Sequence, residues 1–184
     1  ILIPSEEHHL KMNPMDFEEF LWALKEDALF SVIKQCFEKK QPIGQALHRK
    51  AMDLFRLYLI IGGMPQAVNE YCLSKNFEKV DSIKRQILEL YRNDIQKHAK
   101  GSELKAQSIF DEIPAQLSKH EKKFKISSLK KEAKMRDYDD AFMWLSDSRI
   151  VNICYNTEEP NIGLKMNMTR TTLKCYMADT GLLI

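Results

Sequence analysis

Two adjacent glycines and a proline are the residues in this chain with the clearest potential for ligand chemistry. They lie in IIGGMPQAV, residues 60–68. Glycines can expose backbone N–H groups to a phosphate, but a P-loop also needs a lysine and a hydroxyl residue at fixed places after them. This segment has neither, and its glycines follow a predicted helix, whereas a dinucleotide-binding turn follows a strand. No other segment fits a P-loop. One explanation of the glycines is therefore a tight corner between two helices.

A basic segment is the second candidate. Residues 119–136 carry eight lysines and arginines against two glutamates. The side chains that could contact nucleic-acid phosphates are Lys122, Lys123, Lys125, Lys130, Lys131, Lys134 and Arg136. The next segment, DYDDAF, would begin the helix that enters a major groove, and phosphates would repel its three aspartates. Sequence-specific reading, nonspecific contact with DNA and protein docking all stay open.

The remaining chemistry-bearing residues predict neither a metal site nor a catalytic site. The five histidines are scattered, and the cysteines are far apart at Cys36, Cys72, Cys154 and Cys175. Neither zinc-ligand spacing nor a C-x-x-C motif is present. Reduced thiols favour a cytoplasmic protein. No apolar run approaches the ~20 residues of a membrane span, so we expect no membrane partner.

The first hundred residues predict a helical bundle. Asp16 is the expected N-cap of a first helix, whose apolar face would hold Phe17, Phe20, Leu21 and Leu24. Further helices are predicted over residues 27–39, 45–61 and 77–98, and Pro65 should begin another. The inward-facing side chains of the two longest are predicted to be Leu47, Ala51, Leu54, Tyr58 and Ile61, and then Val80, Ile83, Ile87, Leu90 and Tyr91.

The periodicity changes after Gly101. A helix is expected over residues 103–119, a short one capped by Ser127, and a third capped by Asp137. RIVNICY and TLKCYMAD then read as the strands of a β-hairpin between about residues 150 and 177. Three helices followed by a hairpin is the order of a winged helix. The predicted fold class is therefore mainly α, with a helical bundle followed by a winged-helix domain that has a small β-hairpin.

Five segments resemble, in the same order, a large group of uncharacterised prokaryotic AAA-type ATPases. They are MNPMDFEEFLWAL, YLIIGGMPQAV, ILELYRNDIQKHA, IPAQLSK and YMADTGLL, and the resemblance covers nearly all of the chain. Those proteins have a P-loop core, then a helical lid and winged-helix region that is often described as a domain of unknown function, and a restriction-endonuclease-like end commonly follows. The resemblance implies that an ATPase core with both Walker motifs precedes Ile1 and that a nuclease-like part follows Ile184.

The resemblance also divides the chain. Residues 1–15 would be a linker and the last edge strand of the core, ILI; residues 16–100 would be the lid, and residues 101–184 the winged-helix domain. In related signalling ATPases, a G-x-P element opens a lid helix and packs against the nucleotide. Gly63, Met64 and Pro65 match that element, which gives a second explanation of the glycines.

The expected function follows from the resemblance. This chain would be a non-catalytic lid and winged-helix unit that couples nucleotide state to a DNA or protein partner. It contains no Walker motif, so we expect no enzymatic activity and no cofactor of its own, and the resemblance assigns ATP and Mg²⁺ to the full-length parent. The alternative is an independent winged-helix DNA-binding module.

Overall fold

The fold is mainly helical and includes one antiparallel β-hairpin, as the sequence predicts. The structure is a computed structural model that describes residues 10–159 and 163–184; the strand predicted at ILI lies outside them. The helices are α1 (Phe17–Ala23), α2 (Asp27–Glu38), α3 (Gln45–Ile61), α4 (Pro65–Ser74), α5 (Phe77–His98), α6 (Glu103–Ser118) and α7 (Asp139–Asp147). The strands are β1 (Val151–Thr157) and β2 (Met168–Met177).

Local sequence sets most of the helix ends. The Asp16 carboxylate accepts the Glu19 N–H at 2.9 Å, and the Glu19 carboxylate accepts the Asp16 N–H at 2.9 Å, so the predicted N-cap of α1 is confirmed as a full capping box. Gly62 ends α3, Pro65 begins α4, and the Asn76 side chain caps α5. These signals are short-range, and the predicted bounds of α3 and α5 are therefore correct.

Two apolar cores lie on either side of the α3–α4 corner, and α5 contributes to both. The smaller core lies among α1, α3, α4 and the start of α5, and its buried side chains are Phe20, Ile61, Ala67, Val68 and Val80. The larger core lies among α5, α6, α7 and the hairpin. Its fully buried side chains include Ile95, Ile109, Phe110, Ile113, Phe142, Leu145 and Leu182. Since α5 joins the two cores, the larger one crosses the boundary predicted near Gly101.

The second half has two helices and a hairpin, and the middle one of its three predicted helices is absent from the described residues. Between α6 and α7 the chain makes two short 3₁₀ turns, at Ile126–Ser128 and Met135–Asp137. The Phe124 N–H donates to the Leu173 carbonyl at 2.9 Å, so this segment adds one strand-like contact to β2. The hairpin register is regular from Val151 opposite Met177 and shifts after Tyr155.

Two predicted caps are wrong. Ser127 lies within a 3₁₀ turn and caps no helix, because the buried Gln116 side chain holds this segment instead, donating to Ser128 Oγ at 2.5 Å and accepting the Lys125 N–H at 3.3 Å. Asp137 does not cap α7, because its carboxylate accepts the Lys134 N–H at 3.2 Å within the preceding turn.

Two positions predicted to face inward are exposed. Leu90 is 59% exposed, because the face of α5 that α6 covers carries Leu88 and Ile95 instead. Leu47 is 40% exposed, since it lies in the first turn of α3, where no described helix covers it. Both errors come from assuming a single regular stripe along a long helix.

Candidate functional site

The two glycines form a corner that only glycine suits at both places. Gly62 has φ +85° and ψ −174°, a conformation that is costly for any residue with a side chain. Pro65 then occupies the first position of α4, where its missing N–H leaves no helical hydrogen bond unmade. The corner at residues 62–65 thereby ends α3 and begins α4.

The segment before α1 packs directly on this corner. The Met15 N–H donates to the Gly63 carbonyl at 2.7 Å, and the Tyr58 hydroxyl donates to the Met15 carbonyl at 2.9 Å. A Cβ atom at Gly63 would overlap the Met15 carbonyl oxygen. Gly63 is therefore explained by the close approach of two backbone segments, without any ligand.

A carboxylate from the far end of the chain meets the same corner. Asp179 follows β2, and its Oδ1 accepts the Gly63 N–H at 2.7 Å across 116 residues of sequence. The side chain is only 4% exposed. Two residues later, a Cβ atom at Gly181 would overlap the Ile61 carbonyl and lie 2.7 Å from Gly62 Cα. The corner and the C-terminal segment are thus in backbone contact, and a buried hydrogen bond fixes their register.

Burial dominates the electrostatics of Asp179. It raises the pKa of the carboxyl above its usual range, against the opposing effect of the Gly63, Gly181 and Met64 N–H groups and the more distant Lys84 ammonium. Oδ2 is buried and makes no hydrogen bond within the described residues. Burial of the ionised carboxylate is therefore unfavourable in free energy, and the penalty would be smaller for the protonated form.

Two buried neighbours extend the junction. The Lys84 side chain, on α5, is buried and donates to the Ile60 carbonyl at 3.2 Å, one residue before the end of α3. Met64 packs against both cores, and its sulfur lies 4.0 Å from the Tyr91 hydroxyl. Burial raises the pKa of Tyr91, and the Asp179 charge raises it further. The α3–α4 corner is therefore contacted by three other parts of the chain: the segment before α1, helix α5 and the segment after β2.

A polar cleft of about 570 Å³ lies beside the corner, between the segment before α1 and the base of the hairpin. Its charged lining residues are Lys11, Asp16, Arg149 and Asp179. Arg149 has φ +57° and is exposed at the turn between α7 and β1. The cleft has both charge signs on its walls, so its lining does not select one class of ligand.

The three predicted nucleotide-contacting residues differ in the backbone groups and the exposed surface that remain available to a ligand. Both backbone groups of Gly63 are used within the chain, by Asp179 and Met15. Met64 is half-buried between the cores, whereas Pro65 is exposed at the start of α4. Pro65 is therefore the most exposed of the three, and the nucleotide contact stays a prediction.

Sequence reasoning missed Asp179 and Gly181 as members of this site. YMADTGLL carried the resemblance, but these two residues were given no role in it. Their partners are more than a hundred residues away, and no local pattern reports such a pairing. The sequence offered one signal, because Gly181 is a glycine that does not lie at a predicted loop tip.

All seven predicted nucleic-acid contacts lie in the irregular segment between α6 and α7. Three of the seven are engaged within the chain: Lys122 donates to the Leu117 carbonyl, Lys125 pairs with Glu121 at 2.9 Å, and Arg136 lies 3.8 Å from Asp137. The other four, for which the described residues provide no ion pair, are Lys123, Lys130, Lys131 and Lys134. The basic segment thus retains some charge for a polyanion.

The exposed face of α7 is acidic. Phe142 and Leu145 point into the larger core, while Asp140 and Asp147 are exposed. The outward face of α7 therefore carries negative charge, which opposes approach to a phosphate backbone. Any contact with nucleic acid would therefore come from the loop and not from α7.

Residues 10–159 and 163–184 contain neither a membrane-spanning helix nor a cluster of metal-ligating side chains. No helix there is long and apolar enough to cross a bilayer. No group of three His, Cys, Asp or Glu side chains there is placed to hold a metal ion. The four cysteines are free thiols.

Fold and junction together define a helical protein with a small C-terminal hairpin, whose two cores meet at a glycine corner through a buried aspartate. A family model described as a domain of unknown function, DUF8612, matches residues 52–184, and the chain belongs to that family. The match includes the corner, Lys84 and Asp179 and leaves out α1 and α2. No curated protein and no solved structure matches the chain significantly.

Proposed function

We propose that this chain is the helical lid and winged-helix part of an AAA-type ATPase and transmits the nucleotide state of that ATPase to a DNA or protein partner. In this proposal it is cytoplasmic, has no catalytic residue, and works with a P-loop core that binds ATP and Mg²⁺. A nuclease-like domain would belong to the same parent. The free thiols and the resemblance of the five segments support it.

The hydrogen bond between Asp179 and Gly63 is the observation that carries the proposal. Pro65 is exposed two residues after Gly63, and Asp179 lies in the segment that follows β2. A ligand that moves Pro65 would therefore disturb the buried hydrogen bond between Gly63 and Asp179 of the C-terminal half. Coupling between a nucleotide site and a partner site needs a structural element whose position a ligand at either site can shift.

Nucleotide affinity of the longer protein tests this proposal. Pro65→Ala removes the exposed ring and leaves both glycines in place, and we expect it to weaken ATP binding about tenfold, or ~1.4 kcal/mol. Pro42→Ala is the matched control, because Pro42 is an exposed proline in the linker between α2 and α3. Gly63→Val is unsuitable for this test of nucleotide affinity, since it would displace Met15 and perturb folding.

Two results would count against the proposal. Equal ATP affinity in wild type and Pro65→Ala, measured by calorimetry, would remove the nucleotide contact. Hydrolysis of Mg-ATP by residues 1–184 alone, co-purifying with the chain through several columns, would contradict a non-catalytic role, because phosphoryl transfer needs groups that we do not find in the sequence.

The second candidate is a DNA-binding module that acts without an ATPase. The four lysines left without an ion pair in the segment between α6 and α7 favour it. Micromolar binding to duplex DNA with a steep salt dependence, lost in Lys130→Glu/Lys131→Glu, would support this candidate. Absence of salt-dependent binding would exclude it and leave the coupling proposal untouched.

A further inference from the structure

An apolar groove lies between α2 and α3. Its volume is about 340 Å³. Ile33, Phe37 and Ile43 form one wall, while Met52 and Phe55 form the other. Phe37 is 83% exposed although it belongs to a strongly amphipathic helix. The apolar faces of α2 and α3 are therefore incompletely covered within the described residues.

Several lysines and arginines lie within two residues of the groove's lining residues in the sequence, and we call them the rim cations. Residues 34–50, which contain the end of α2, the linker and the start of α3, carry five lysines and arginines against a single glutamate. Lys50 pairs with Glu26 at 2.6 Å. The rim cations for which the described residues provide no ion pair are Lys34, Lys39, Lys40 and Arg49. A partner for this groove needs an apolar ridge flanked by negative charge.

We propose that this groove binds an acidic amphipathic helix of a partner protein. An amphipathic helix places apolar anchors three and four residues apart, and about two or three such anchors would occupy a groove of this size. Glutamates or aspartates on either side of the ridge would then meet the rim cations. The proposal is independent of the nucleotide contact at Pro65.

Helix α7 of a second copy does not supply such a helix. Asp140 and Asp147 are exposed on α7, but its side chains Phe142 and Leu145 are buried in its own core. The outer face of α7 carries one large apolar side chain, Met143, and therefore lacks an apolar ridge that could enter the groove. A different protein is the occupant that the charges and the shape favour.

Titration with designed peptides tests the proposal on the chain of residues 1–184. The probe is a fluorescent peptide of about 16 residues, or four helical turns, with leucines along one face and glutamates on both flanks. We expect a dissociation constant on the order of 10 µM at low salt, and weaker binding as salt screens the rim cations. A peptide with lysines in place of the glutamates should bind about tenfold more weakly or not at all.

Variants of the chain locate the binding. Phe37→Glu places a negative charge in the groove and should weaken binding by about tenfold or more, while folding is retained because the side chain is already exposed. Leu73→Glu is the matched control, since Leu73 is 76% exposed on α4, outside the groove, and it should leave the affinity unchanged. Lys34→Glu/Arg49→Glu should reverse the preference between the two peptides.

Three outcomes would overturn the proposal. The first is no binding of the acidic peptide to the wild-type chain. The second is equal binding by wild type and Phe37→Glu, which would place the peptide elsewhere. The third is concentration-dependent dimerisation, measured by sedimentation and abolished by Phe37→Glu, which would make a second copy the occupant.

Discussion

The regions on either side of the glycine corner bury their apolar side chains to different extents. Helices α6 and α7 and the hairpin enclose a large core in which Phe110 and Phe142 are almost fully buried. The region from α1 to α4 has a small core around Phe20, and it leaves Phe37 and Leu73 largely exposed. Stability scales with buried apolar area, so the region from α1 to α4 depends on α5 and the corner, whereas the region of α6, α7 and the hairpin is closer to self-sufficient.

The largest effect on this comparison is expected from filling the corner. Gly62 and Gly44 both have φ +85° with an extended ψ, but a Cβ atom would overlap Asp179 at Gly62 and has open space at Gly44. Gly62→Ala should lower the free energy of unfolding by about 1–3 kcal/mol more than Gly44→Ala does, because only Gly62→Ala adds a collision to the backbone strain. Urea denaturation measures both, and equal losses would show that Asp179 does not pack on the corner.

A smaller, pH-dependent effect is expected at Asp179. Burial raises its pKa in the folded chain, so the folded state holds this proton more tightly than the unfolded chain does. The contribution of this group to the free energy of unfolding should therefore be greatest at low pH and fall as pH rises through the folded pKa.

Asp179→Asn removes this titration and keeps an oxygen that can accept the Gly63 N–H. The free energy of unfolding of wild type minus that of Asp179→Asn should decrease between about pH 3.5 and pH 7. A difference that increases over this range would mean that the carboxylate is stabilised in the folded state, which is the opposite of the expected sign.

The smallest effect is expected from the groove. Phe37→Ala should change the free energy of unfolding by no more than about 0.5 kcal/mol, because the side chain is 83% exposed. A loss of several kcal/mol in thermal denaturation would show that the Phe37 side chain packs inside the region from α1 to α4. The groove would then be part of a core.

Elements with local signals could be predicted from the sequence. The bounds of α3 and α5 are correct because Gly62 stops α3 and α5 starts at a cap and ends near Gly101. The hairpin is correct because β-branched and aromatic residues cluster on both sides of a turn-rich segment. These features depend on near neighbours, which the sequence places side by side.

Features set by tertiary contacts could not be predicted in the same way. Leu88 and Leu90 have the same residue type and lie two positions apart, so periodicity alone chose the wrong one for the face that α6 covers. The segment at Ser127 is held by Gln116 from another helix, which replaced the expected helix. The predicted corner is present, but the pairing of Gly63 with Asp179 spans 116 residues and has no local signature.

The central claim is that the corner joins the two cores into one cooperative unit, and the two tryptophans can report on it separately. Trp22 lies on α1, and Trp144 packs against the larger core from α7. Each becomes the single fluorescence probe in a Trp144→Phe or Trp22→Phe background. Asp179→Ala then leaves the buried Gly63 N–H without its partner, at a cost of about 1–3 kcal/mol.

Urea unfolding of these single-tryptophan chains, with and without Asp179→Ala, is the most direct measurement. With Asp179 present, the Trp22 and Trp144 midpoints should coincide. With Asp179→Ala, the Trp22 midpoint should fall below the Trp144 midpoint, because the smaller core loses its connection to the larger one. Midpoints that already differ with Asp179 present, or that stay together in Asp179→Ala, would contradict the claim.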